Sequence, residues 1–315
     1  MAQPSSTYAT NDMVGIREDL SDVIYNISPT ETPFLSSVAK TEAKNTYHEW
    51  QIDSLAAAAT NYVIEGDDAT TDARVATLRR GNYTNISDKV PRVTGTARAV
   101  NTAGRADEMD YQVLKAGKEL KRDMEKVLLD NNARVAGDDT TARELAGVPA
   151  WIATNVDKAS GGTNPTGDGT DARADGTQRA FTEDQVKTVL QLVAEEGGAP
   201  TILSMGSFNR QVASSFSAGS TGFQKAEDST LHATYDVYAS DFGSLKMMFN
   251  RFQRSRDALI LDMDMWKVAF MPGRNMVTSD LAKTGDTDRK QLLSEYTLEA
   301  CNQKASGIVA DLTTA

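Results

Sequence analysis

One cysteine, Cys301, and two histidines, His48 and His232, are the whole supply of thiol and imidazole ligands in these 315 residues. A lone cysteine excludes an internal disulfide, so nothing in the sequence points to an oxidising compartment. Structural zinc takes four nitrogen or sulfur ligands, and three cannot complete that set. Neither histidine has a neighbouring His or Cys, so His48 reads as a strand residue and His232 as a loop residue. Positive charge is also short: 33 Lys and Arg face 44 Asp and Glu, a formal charge of −11. Non-specific nucleic-acid binders neutralise phosphates with Lys and Arg, which argues against that class. A container for nucleic acid stays open, because a lining that ignores the polymer does not trap it. No apolar run reaches the length that spans a bilayer. The polar stretch Met1 to Thr10 lacks the basic head and apolar core of a secretion signal. The Asn-X-Ser/Thr triplets at Asn26, Asn82 and Asn85 therefore read as chance, and a soluble protein made in a cytoplasm is expected.

Catalytic motifs fail one by one. Gly117-Lys118 has no upstream glycine and is followed by Glu119, so it is no phosphate loop. Asp171, Asp175 and Gly176 sketch a calcium loop, but Arg173 and Thr182 stand where oxygen ligands belong. Gly219-Ser220-Thr221-Gly222 lacks nucleophile-elbow spacing. Cys301 lies in an alternating apolar stretch and reads as a small core residue. Glu195-Glu196 and Asp262 with Asp264 read as solvated charges at a helix end and a turn. The expectation is no catalytic residue, no cofactor and no metal, hence no enzyme.

What the chain does have is a long helix behind a hundred residues that make no core. From Arg105 to Ala136 breakers are few, and Met109, Val113, Leu120, Met124, Val127 and Leu128 share one face. Such a helix is about 48 Å long, more than one compact domain can cover. Gly137 closes it. Its other edge carries Lys115, Lys118, Lys121, Arg122 and Lys126, interleaved with Glu119, Asp123 and Glu125. Lys115 with Glu119 and Lys121 with Glu125 give opposite pairs at i,i+4, and the edge reads as solvated or subunit-facing.

Before the helix, residues 1–45 form an arm with one helical segment at Asp12 to Tyr25, stopped by Pro29 and Pro33 and followed by the apolar Phe34, Leu35 and Val38. Residues 46–100 read as a long two-stranded finger. It runs out through Tyr47, Trp50, Ile52, Tyr62, Val63 and Ile64 and turns at the acidic run Glu65-Gly66-Asp67-Asp68. It returns through Tyr83, Ile86, Val90, Val93 and Val100. An isolated ribbon is marginal in water and needs a partner surface.

After the helix, residues 157–180 read as a mobile surface loop rich in glycine. Thr182 with Gln185 makes a capping box for a helix buried through Val186, Val189, Leu190 and Val193 and stopped by Gly197-Gly198. Strands are expected at Thr201 to Met205, Tyr235 to Ser240, Leu245 to Asn250, Ala258 to Leu261, Trp266 to Met271, Leu292 to Cys301 and Gly307 to Val309. A helix is expected between the first two, through Phe208, Val212 and Phe216. The class is α+β.

This order resembles the major capsid proteins of tailed bacteriophages, with the Hong Kong-97-type fold. The stretches that carry the likeness are Ser28-Pro29-Thr30-Glu31-Thr32-Pro33-Phe34-Leu35, Gly117-Lys118-Glu119-Leu120-Lys121-Arg122-Asp123, Tyr238-Ala239-Ser240-Asp241-Phe242-Gly243, Leu281-Ala282-Lys283-Thr284-Gly285-Asp286 and Glu295-Tyr296-Thr297-Leu298-Glu299. The resemblance implies an N-terminal arm, an extended finger (the E-loop), and a spine helix at 105–136 in a peripheral domain of residues 101–156 and 275–303. It implies an axial domain of residues 181–274 and 304–315. It also implies a subunit that self-assembles into pentamers and hexamers of an icosahedral head around double-stranded DNA, inside a bacterial host. Portal, scaffolding and cement proteins are partners that such a head admits. The assembly-interface candidates are Tyr62, Ile64, Glu65, Asp67, Asp68, Arg74, Arg79 and Arg80 on the finger, with Lys118, Lys121 and Arg122 on the helix. The rival readings are the shell protein of a bacterial nanocompartment with the same fold, and a soluble α/β enzyme with an unrecognised site.

Overall fold

The computed structural model describes residues 30–68, 74, 76–100, 107–216 and 237–314. The expected arm helix at Asp12 to Tyr25, the loop His232 and the Gly219 to Gly222 run lie outside these.

The molecule is organised by one long strand. β13 (Thr287–Ala300) runs about 46 Å and is paired along both edges. On one side it meets β11 (Trp266–Phe270) and β12 (Val277–Leu281), on the other β4 (Asn85–Lys89) and β5 (Arg92–Thr94), all antiparallel. β1 (Ala39–Glu42) adds a parallel edge strand on β11. This peripheral sheet therefore draws strands from regions that the sequence assigns to the arm and the finger. β4 and β5 are not the return of the finger. The finger ladder is short, β2 (Tyr47–Ile52) against β3 (Leu78–Tyr83). No strand forms at Tyr62 to Ile64, where all three side chains are exposed and a strand would have no partner.

The spine helix is α3 (Glu108–Leu129), 22 residues and about 33 Å, shorter than the expected 105–136. The Asp107 side chain caps its start by accepting from the Met109 amide at 2.8 Å. It stops at Asp130, whose backbone is extended and whose carboxylate accepts from the Asn131 amide. Asp and Asn bond to nearby backbone in competition with the helix, so Asp130 and Asn131 end it, well before Gly137. Gly137, at φ +73°, serves instead the turn between Val135 and Glu144. Of the expected stripe, Met109, Leu120, Met124 and Leu128 are buried and Val113 and Val127 only half-buried, while Ala116 joins the buried face.

Glu125 departs from the expected surface pair with Lys121. It is fully buried, and its two oxygens accept from the Phe34 amide at 2.8 Å and the Leu35 amide at 2.7 Å. Asn250 donates to it at 2.6 Å. The amides belong to α1 (Pro33–Ser37), a one-turn helix that starts on the proline expected to stop one. Proline suits a first helical position, and the orphan amides beyond it take the carboxylate. Phe34, Leu35 and Val38 thereby enter the main core beside Leu120, Trp151, Trp266 and Tyr296.

The axial sheet has the order β6 (Val156–Asp157), β14 (Gly307–Val309), β10 (Ala258–Leu261), β7 (Ile202–Met205), β9 (Gly243–Phe249), β8 (Val237–Ser240). Every side chain of β10 is buried: Leu259 and Leu261 face the peripheral core, Ala258 and Ile260 the axial one. A central strand covered on both faces reads as an unbroken apolar run. α5 (Glu183–Glu195) covers the far face through Val186, Val189, Leu190 and Val193. It starts on the Thr182 amide bonded to Gln185 and ends on Gly197, φ +83°, with Gly198 donating back to Val193. α6 (Ser207–Ala213) buries Asn209 and Ala213, one residue round from the expected face, whose Phe208 and Val212 are half-buried, Val212 packing on the axial core with Phe216. The chain passes from axial to peripheral sheet at Met263–Met265, earlier than the boundary expected at 275.

Residues 157–180 are no free surface loop. Thr163 and Ala174 exchange backbone hydrogen bonds, and Gly162, Pro165, Gly167, Gly169 and Arg173 are buried.

Leu120→Ala is expected to cost about 2–5 kcal/mol, since it opens a cavity at a site with no exposure. Leu120→Asp should leave no soluble folded protein, because an unpaired charge would be buried there. Lys118→Ala, at an exposed position, should leave the melting temperature unchanged. Glu125→Ala strands two amides and the Asn250 side chain, at about 2–4 kcal/mol in a urea titration.

Candidate functional site

The candidate site is a surface, and it begins at the root of the finger. Asn82 is fully buried there. Its Oδ1 accepts from the Ala146 amide at 2.9 Å, and its Nδ2 donates to the Leu298 and Ala146 carbonyls at 3.0 and 3.2 Å. This side chain joins β3, β13 and the turn before α4 (Val148–Trp151). Beside it His48 Nε2 lies 3.1 Å from Glu299 Oε2, and Lys267 lies 3.5 Å from the other oxygen. The His48 hydrogen bond is the main cause that draws the Glu299 carboxyl below its ordinary range, against its partial burial. Trp50 packs on Trp151 with ring centroids 5.3 Å apart, and the Arg134 guanidinium lies over Tyr47. The root is thus tied to β13 and to the α4 turn through the buried Asn82 and half-buried aromatic and charged side chains.

Beyond Ile52 and Leu78 the character reverses. Leu55, Tyr62, Val63 and Ile64 are 97, 92, 73 and 78 % exposed. Glu65 and Gly66 form a turn closed by the Asp67 amide on the Ile64 carbonyl at 3.1 Å, with Gly66 at φ +86°. Glu65, Asp67 and Asp68 are exposed, and so is Arg74. Among the described residues none of these four makes an ion pair. Isolated surface leucines are ordinary, but four large apolar side chains together on one projecting segment mark an interaction site.

Arg79 and Arg80 stand at the base of the ladder and already have partners. Arg79 pairs with Glu49 across the two strands, and Arg80 reaches Asp168 at 3.7 Å. They brace the finger within its own subunit. On α3, Lys118 and Lys121 are exposed and carry no ion pair among the described residues. Arg122 is half-buried over the Phe252 ring at 5.9 Å. No described contact joins these helix residues to the finger tip of the same chain. The expected candidates therefore divide into a tip, a braced base and a separate helix edge.

Sequence reading missed Asn82, Glu125 and the Glu295 node. Glu295, on β13, has a side chain 3 % exposed between Arg143 at 2.9 Å and Arg274 Nε at 2.6 Å, with Thr84 donating at 2.9 Å. Each is a polar residue in a polar stretch, and only the chain crossing brings its partners near. Among the described residues no cluster of three or more His, Cys, Asp or Glu is placed to hold a metal. No described helix is long and apolar enough to cross a membrane.

Several known proteins share this architecture. A chain described as the capsid asymmetric unit of cyanophage A-1(L) superposes with TM-score 0.66 at 13 % identity, over 98 % of this chain and 99 % of that one. A chain of Mycobacterium phage Cain does so with TM-score 0.61 at 15 % identity, over 98 % and 100 %. At such identities the likeness shows the fold, which is of the Hong Kong-97 type. The major capsid protein of Escherichia phage Phieco32 is 38 % identical over 135 residues, which is 42 % of this chain and 38 % of that protein. The family model described as SU10 major capsid protein matches residues 3–313. A braced root, a bare apolar tip and this near-complete match agree: the chain belongs to the SU10 major capsid protein family.

Proposed function

We propose that this chain is the shell subunit of a tailed-phage head. It self-assembles into pentamers and hexamers of an icosahedral shell enclosing double-stranded DNA, in the cytoplasm of a bacterial host. The observation that carries the reading is the finger: Asn82 and the Trp50–Trp151 contact fix its root, while among the described residues nothing covers Leu55, Tyr62, Val63 and Ile64. A segment built this way gains its burial on a neighbour. Extended arms that cross subunits bury area without needing a core of their own.

In this reading the tip lies across the adjacent subunit, with Tyr62 and Ile64 as apolar contacts and Glu65, Asp67, Asp68 and Arg74 at their polar margin. Lys118, Lys121 and Arg122 offer the helix edge as a further subunit-facing strip. Arg79 and Arg80 act indirectly, by holding the ladder that aims the tip. The net charge of −11 suits a lining that does not bind the enclosed polymer. Portal, scaffolding and cement proteins are the partners such a shell admits. The subunit performs no chemistry in this scheme and holds no cofactor.

Replacing residues 54–76 by a two-residue Asn-Gly turn keeps the β2–β3 ladder and its mount while removing the tip. Circular dichroism and the melting temperature should match the parent, and particle counts by electron microscopy should fall to background. Normal particles from this variant would remove the finger from the assembly mechanism. The double change Tyr62→Ser with Ile64→Ser should act in the same direction, raising the concentration needed for assembly at unchanged stability.

A further inference from the structure

Residues 158–180 cross from the end of α3 to the axial sheet, and they are fixed at the two ends by different chemistry. At the α3 end the bonds are neutral. Asn131 donates to the Arg173 carbonyl at 2.8 Å and accepts from the Arg173 amide at 3.1 Å, and the Arg134 amide meets the Gly169 carbonyl at 2.8 Å. At the axial end they are charged. Asp311, fully buried at φ +61°, accepts from the Gly176 amide at 2.7 Å and the Ala159 amide at 3.2 Å. Arg254 holds Asp175 at 2.7 Å, and Arg256 reaches Asp175 and Asp311, each at 3.5 Å.

Between the two ends sits Arg173, only 3 % exposed, and none of its three guanidinium nitrogens has a hydrogen-bond partner. Asp257, 1 % exposed, faces it with both oxygens outside good hydrogen-bond geometry, although Arg254 approaches one of them at 3.2 Å. Three arginines (173, 254, 256) and three aspartates (175, 257, 311) thus share one buried cluster, with Asp130 acting on it through Arg254. Removing a charge from water is costly unless it is both paired and hydrogen-bonded. A staple built for strength would give Arg173 its hydrogen bonds.

We propose that residues 158–180 are a releasable strap, closed over an under-satisfied Arg173 so that it opens by returning that guanidinium to solvent while the rest of the subunit stays folded. Opening frees the tie between the end of α3 and the axial sheet. The strap itself can be tested without shells.

Proton binding gives the release a direction. Burial raises Asp257 to about 6, above its value when exposed, with Arg254 and Arg173 opposing the shift and Asp175 and Asp311 adding to it. The closed strap therefore binds a proton more tightly than the open one. It is favoured at low pH and loses that advantage as pH rises through about 6.

Hydrogen exchange followed by mass spectrometry on the full chain tests this, with rates corrected for intrinsic pH dependence. The amides of Ala159, Arg173 and Gly176, whose acceptors Asp311 and Asn131 lie outside the strap, report closure. They should exchange before those of α3 and β13, and faster at pH 7.5 than at pH 5. Arg173→Met keeps length and removes the buried charge, so it should slow strap exchange about tenfold, as hydrophobic replacement of a buried ion can stabilise. Asp257→Asn should abolish the pH response. Faster strap exchange in Arg173→Met would show a staple instead of a release and overturn the proposal. So would strap amides that exchange only with global unfolding, or a parent rate independent of pH. These results leave the shell reading standing, whereas a chain that forms no particles while its strap behaves as described would overturn only the shell reading.

Discussion

Glu125 is a carboxylate at full burial, and the arrangement around it depends on its having three donors at once. Two are backbone amides at the start of α1 and the third is Asn250, just after β9. Burial raises its pKa, while the donors from Leu35, Phe34 and Asn250 pull it down. One side chain on the long helix therefore ties the incoming arm to the axial sheet. Without it the amides of Phe34 and Leu35 would face a core of Leu120, Trp151, Trp266 and Tyr296 with nothing to bond. The apolar cluster supplies the driving force for closure, and this polar contact selects which arm residues enter it.

The same division of labour recurs along β13. Its pairings with four strands bring chain segments more than two hundred residues apart into one sheet. Buried polar groups then fix the register: Glu295 with Arg143, Arg274 and Thr84, and Asn82 with the Leu298 carbonyl. The finger projects from this fixed point. Its root is held by the buried Asn82 hydrogen bonds and the Trp50–Trp151 contact, and its tip is bare because no described residue of the subunit covers it. The β2–β3 ladder ends at Ile52 and Leu78, and the described apolar residues beyond it are exposed in the single subunit.

Periodic elements were legible in the sequence. The α3 stripe, the capped α5 with its glycine stop, and the runs Ala258–Leu261 and Gly307–Val309 all appear where their patterns place them. Ownership of strands was not. Ile86 and Val93 read as the return of a hairpin, yet they pair with β13, because period-two alternation says a residue is in a strand and nothing about its partner. Glu125 read as a surface charge because the covering α1 comes from ninety residues away. Residues 157–180 read as a loop from their glycines, although those glycines let the chain pack closely against Trp151 and Asp311. Of the interface candidates, Tyr62, Ile64, Glu65, Asp67 and Asp68 are exposed with no ion pair among the described residues, whereas Arg79 and Arg80 have partners in Glu49 and Asp168 that sequence spacing did not show.

The central claim is that the subunit completes its burial on copies of itself. Light scattering and negative-stain electron microscopy of the purified full-length chain, followed over rising concentration, test it most directly. The account predicts closed, uniformly curved shells above a threshold concentration. A monomer or dimer that stays dispersed at high concentration, with the finger amides protected from hydrogen exchange, would contradict it.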